Sequence, residues 1–238
     1  YKFCDAKSFN QLLNFDTKKV TNMSYMFCDA ESFNQPLNFD TKNVINMKNM
    51  FYNAYQFNQS LNWDTSNVTN MEYMFYICES FNQHLNFTST ENVNNMTEMF
   101  YDAESFNQPL NFDTKNVTNM SYMFSDAKSF NQPLNFNTEK VTNMKGMFFS
   151  AVSFNQRLNF NTQNVTDMSG MFKDAKSLNQ PLNLNTENVF NMDRMFESAQ
   201  LFNQSINSWD VNNVSKFDNI FDICPISEEN KPVFRILI

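Results

Sequence analysis

The side chains able to do chemistry are few and mostly periodic. The chain holds one histidine, His84, and four cysteines, Cys4, Cys28, Cys78 and Cys224. Its carboxylates recur in a column, Asp16, Asp40, Asp64 and Asp113, each following Asn-Phe or Asn-Trp. A catalytic constellation or a metal cage gathers unlike residues at one place, whereas a periodic side chain repeats one chemistry at every period. His84 has no carboxylate or cysteine at a fixed place in the repeat. There is no glycine-rich phosphate loop, nucleophile elbow or Cys-x-x-Cys pair. The expectation is therefore a protein that is not an enzyme, with no cofactor and no metal site.

Binding is a different matter. Where Leu37 and Phe39 point inward, Asn38 and Asp40 point outward. Repetition of that pattern gives a candidate binding face: Asn38, Asp40, Asn62, Asp64, Asn86, Asn111, Asp113, Asn135 and Asn159. His84 and Arg157 are the odd members of the variable position two residues before the asparagine. Amides donate and accept, so this face suits sugar hydroxyls or another protein's backbone. The alternative is an amide ladder that satisfies itself along the stack. The separate Asn34-Gln35 pair, present in every copy, reads as a buried ladder bonding adjacent loops. Cys4 and Cys28 share one column in neighbouring copies, a spacing compatible with a disulfide across one rung of about 4.8 Å, or with two free thiols. Cys78 and Cys224 lie in the alanine column and read as small buried residues.

These spacings come from an internal repeat of about 24 residues. Phe27, Phe51, Phe75, Phe100, Phe124, Phe148, Phe172, Phe196 and Phe221 mark its nine copies. Val44, Met47, Met50-Phe51 and Ala54 are spaced by three and four, which reads as a short helix or 3₁₀ stretch. Leu37-Asn38-Phe39 alternates and reads as a short strand, with Asp40-Thr41 turning the chain. No single copy buries its own apolar face, so the copies must stack. The expected fold is an α/β solenoid: a right-handed leucine-rich-repeat-like coil with a parallel sheet on one face and helical or 3₁₀ turns on the other. It would span residues 1–224, and 225–238 would be a loop with a β-prone segment, Val233–Ile238, serving as a cap or as a strand exchanged with another subunit.

Composition bounds the rest. Hydrophobic residues make up 42%, enough for a core, which 28 Phe and 16 Met must dominate. Net charge is −8, which disfavours nucleic acid. No apolar run is long enough to span a bilayer. The chain opens at Tyr1 rather than Met, as expected of a mature product or a fragment.

Phe106-Asn107-Gln108-Pro109-Leu110-Asn111-Phe112-Asp113-Thr114 and Val117-Thr118-Asn119-Met120-Ser121-Tyr122-Met123-Phe124 carry a resemblance. They resemble the repeat of BspA-like leucine-rich-repeat surface proteins, in particular the mycoplasma-lipoprotein type. The likeness runs roughly from Phe3 to Cys224. It departs in that the family's Trp-Asp usually falls one residue later, as at Trp209-Asp210. The resemblance implies a non-enzymatic protein displayed outside the cell, on a cell or virion surface, mediating adhesion or interaction with a protein or glycan ligand. The alternative is a structural assembly protein, a fibre or coat component that self-associates end to end.

Overall fold

The computed structural model describes residues 2–234. Each repeat forms one rung of a stack, and each rung is built from turns. In the second rung Met26 N–H returns to the Met23 carbonyl, Ala30 to Phe27, Phe33 to Ala30 and Val44 to Thr41. The third residue of each of the first two turns is left-handed, Tyr25 at φ 58° and Asp29 at φ 54°. That is the signature of a type II turn. The same two positions recur along the chain, at Asn49 and Asn53, Tyr73 and Ile77, Glu98 and Asp102.

The α/β expectation is overturned here. Among the described residues the only helical element is the 3₁₀ segment Glu228–Asn230, and there is no named strand. Parallel pairing is confined to isolated bridges, such as Asn46↔Asn70 and Asn95↔Asn119. The physical reason lies in the backbone bonds. N–H groups that an α-helix would return four residues back alternate between a turn and the next rung. Tyr25, Phe27 and Asp29 donate to the carbonyls of Lys48, Met50 and Tyr52 at 3.0, 2.9 and 2.7 Å. Apolar spacings of three and four thus arise from successive turns. The Leu37–Thr41 stretch does alternate buried and exposed. Yet its backbone is not zipped to its neighbours; Asn86 to Leu61 and Thr88 to Trp63, each at 3.1 Å, are local exceptions. A leucine-rich-repeat coil needs a continuous parallel sheet, so the BspA-like identification fails with the sheet. The adhesion and end-to-end assembly roles drawn from a leucine-rich-repeat solenoid lose their basis too.

Side chains do what a sheet would have done. The buried hydroxyl of Thr41 donates to the Asp64 carbonyl at 2.9 Å, and Thr114 and Thr138 repeat the bond at Asn137 and Asn161. Asn34 Oδ1 accepts the Asn58 N–H at 2.9 Å and the Gln59 Nε2 at 2.8 Å, and the pattern runs on through Asn107, Asn131 and Asn155. Asn67 Nδ2 reaches back to the Lys42 carbonyl at 2.8 Å, as Asn116 does to Glu91. Backbone polar groups must be paired somewhere, and here amides and hydroxyls complete the pairing that a ladder would provide.

Inside runs a continuous aromatic column. Phe75, Phe100, Phe124 and Phe148 stack at 5.5, 5.6 and 5.7 Å between ring centres, nearly parallel. A second column packs beside it, with Phe124 4.2 Å from Phe130. Methionines and valines at 0% exposure fill the remainder. At the last described rung, Ile226 is buried, Phe234 stacks on Phe217 at 4.6 Å, and Ser227 N–H continues the asparagine ladder onto Asn203. The remainder of the expected β-prone tail, residues 235–238, lies outside the described residues. Among the described residues no helix is long and apolar enough to cross a membrane.

Candidate functional site

The face expected to bind is exposed, but much of its polarity is already used. Asn38, Asn62, His84, Asn86, Asn111, Asn135, Arg157 and Asn159 all lie on the surface. Asp40 and Asp113 spend an oxygen on the N–H two residues ahead, Lys42 at 3.2 Å and Lys115 at 3.1 Å. Asp64 takes the Ser66 N–H at 3.0 Å and its hydroxyl at 2.6 Å, and these bonds hold its carboxyl below the usual range. Asn86 Nδ2 donates to Asn62 Oδ1 at 2.7 Å, one step of an amide ladder. Asn135, Arg157 and Asn159 share one shallow depression; Asn86, Asn111 and Asp113 share another, which lacks His84.

Cys4 and Cys28 are free thiols brought together across one rung. Their sulfurs and an Asp29 carboxylate oxygen lie within 4.8 Å of one another, a set able to hold a soft divalent ion. Burial, followed by the Asp29 carboxylate, pushes the Cys28 thiol far up; burial also raises Cys4. Both thiols are therefore protonated at neutral pH, which opposes metal binding. Cys78 is fully buried, its thiol donating to the Phe51 carbonyl.

A departure from periodicity lies among the turns. The first left-handed position of each rung carries Tyr73, Glu98 and Tyr122, then Gly146 and Gly170, then Arg194. These are the only two glycines in the chain. Both hold positive φ, 58° and 59°. At Gly146 a β-carbon would stand 2.2 Å from the Tyr122 ring, so glycine lets that ring lie across the next rung. At Gly170 the nearest atom to such a carbon is on the Phe149 ring at 3.9 Å, so the position is open. The result is a cleft of about 620 Å³.

Its walls come from three adjacent columns. One column stacks Tyr52, Tyr76 and Tyr101 at 4.6 and 4.7 Å, then loses its ring at Ser125 and resumes with Phe149. Another supplies Lys145, Ser169 and Asp193, and the left-handed column ends the cleft with Arg194. Lys145 Nζ sits 5.8 Å from the centre of the Tyr122 ring, and Lys173 the same distance from Phe149. Lys173 is paired with Glu197 at 2.7 Å. Ser169 Oγ is buried without a hydrogen-bond partner. Sequence reasoning concentrated on the asparagine face and missed this one. The signal was present in the placement of both glycines in one column of adjacent repeats.

Glu98, at the far end of the cleft, has its carboxyl raised by burial, then by Glu72, against a smaller opposing bond from Tyr73. The sign follows from linkage. A raised carboxyl keeps its proton better folded than unfolded. It therefore costs nothing below the ordinary carboxylate range and destabilises the fold progressively as pH rises through its folded value. Glu98→Gln should raise the melting temperature at pH 7, and the gain should vanish as pH falls below about 4. Melting curves at the two pH values check this; a gain of equal size at both would disprove it.

A family model described as Mycoplasma protein of unknown function, DUF285, matches three overlapping segments, residues 1–86, 61–159 and 134–232. No curated protein and no solved structure matches the chain.

Proposed function

We propose that this chain, which belongs to the Mycoplasma DUF285 family, is a non-catalytic binding protein whose working site is the cleft over Gly170. The observation that carries the reading is the break in periodicity. Elsewhere the polar columns hold the rungs together. Over these two rungs the left-handed column loses its side chains: the Tyr122 ring covers Gly146, and a cleft of about 620 Å³ opens at Gly170. Concave sites with aromatic walls and a few convergent polar groups are where small ligands bind. A protein or a glycan would present such a ligand group. The exposed asparagines and the net charge of −8 suit an aqueous surface, and the proposed place of action is outside a cell or on a particle surface.

The test uses a substitution that the repeat already permits. Tyr25, Tyr73 and Tyr122 occupy the same column at φ 58°, 56° and 53°. Gly170→Tyr should therefore fold, at a cost of about 1 kcal/mol for the lost glycine conformation, while filling the cleft. Wild type and Gly170→Tyr would be applied to glycan and peptide arrays. Wild-type signals should disappear in the variant; identical profiles would refute the cleft as the site.

A further inference from the structure

We propose that the cleft takes an acidic sugar, a pyranose bearing a carboxylate, alone or within a short oligosaccharide. This rests on the cleft being the binding site. In a chain of net charge −8, three cations, Lys145, Lys173 and Arg194, converge on one cleft. Glu197 neutralises Lys173 at 2.7 Å. Among the described residues Lys145 has no carboxylate within ion-pair distance. Arg194 meets Glu197 through Nε, at 3.6 Å, and its side chain is 59% exposed. Its guanidinium end is thus available for the paired bonds a carboxylate makes. The anions of the cleft are Asp193, whose Oδ1 already accepts the Asp218 N–H at 2.9 Å, and Glu98 at the far end.

The rest of the lining selects the ligand's body. Phe149 borders the open Gly170 position and the Tyr122 ring also lines the cleft, and the apolar C–H face of a pyranose lies flat on such rings. The Ser169 hydroxyl is buried beneath the lining and does not face the ligand. The backbone argues against an extended peptide or a phosphate. The N–H groups of Tyr122, Gly146, Gly170 and Arg194 all donate to the next rung, at 2.8 Å each. The floor therefore has no free edge for strand addition and no cradle of amides for phosphate.

Calorimetric titration with a galacturonic acid trisaccharide and with its neutral trisaccharide counterpart tests the assignment. The acidic sugar should bind at least tenfold more tightly. Arg194→Gln and Lys145→Gln should bring it to the neutral sugar's level, and neither should shift the melting temperature. Equal affinities, no binding of the acidic sugar, or indifference to Arg194→Gln would overturn the acidic-sugar assignment. So would preferential binding of an acidic peptide. Gly170→Tyr separates this from failure of the cleft itself: loss of any array signal in that variant leaves the cleft standing with another ligand, and persistence of the signal removes both.

Discussion

Phe124→Ala is expected to destabilise the protein by about 3–5 kcal/mol, the range for deleting a fully buried phenylalanine. Phe124 is 0% exposed and stacks on Phe100 at 5.6 Å, Phe148 at 5.7 Å and Phe130 at 4.2 Å. The cavity has little means of closing. The rung carrying Phe124 is pinned to the next by the N–H groups of Met120, Tyr122, Phe124 and Asp126. Rungs held at fixed separation cannot slide together to fill a missing ring, so both the transfer and the cavity contributions should appear. Phe3, in the first rung, is only partly buried, although it stacks on Phe27 at 5.5 Å. Phe3→Ala should cost less than half as much. Urea unfolding of the two variants would decide the matter. A cost for Phe124→Ala of under about 1 kcal/mol would mean that the aromatic column is not the core.

Which parts of this architecture could be read from residue types has a physical answer. Leu37 and Phe39 inside, Asn38 and Asp40 outside is a local preference, visible in the alternation itself. Whether that stretch zips into a sheet depends on which neighbour its N–H groups reach, and alternation carries no information about that. Helix and turn were confused for a related reason. Val44, Met47, Met50, Phe51 and Ala54 have the spacing of a helical face, but bonds closing every third residue give that spacing as well. The discriminating feature is the left-handed residue. Asn49, Asn53 and Asp29 are types that tolerate positive φ, but Tyr73, Ile77 and Glu98 occupy the same columns and blur the signal. The two glycines fall in one column of adjacent repeats, and the second of them opens the cleft. The cations around it come from three different columns and converge only once the rungs are stacked.

Two asparagines four residues apart in one rung should behave very differently. Asn107 Oδ1 accepts the Asn131 N–H at 2.9 Å and Gln132 Nε2 at 3.1 Å, while the Asn107 N–H donates to Asn82 Oδ1 at 3.0 Å. Asn107→Ala leaves two donors of the following rung without their acceptor, in a part-buried place where a side chain stands in for a sheet bond. A loss of about 1–3 kcal/mol is expected. Asn111 lies exposed on the outer face, and Asn111→Ala should stay within about 0.5 kcal/mol of wild type. Asn107→Asp refines the comparison. Its carboxylate keeps the acceptor and strengthens the bonds to both donors, so it should recover most of the loss at pH 7. Those bonds to the ionised form hold its folded pKa below the unfolded value. The recovered stability should therefore fade as pH falls through the carboxylate range, below about 4. Equilibrium unfolding of the three variants at pH 7 and pH 3 reads all of this. Equal costs for Asn107→Ala and Asn111→Ala would show that the amide ladder contributes no more than an ordinary surface residue, and that the turns and the aromatic core hold the rungs together without it.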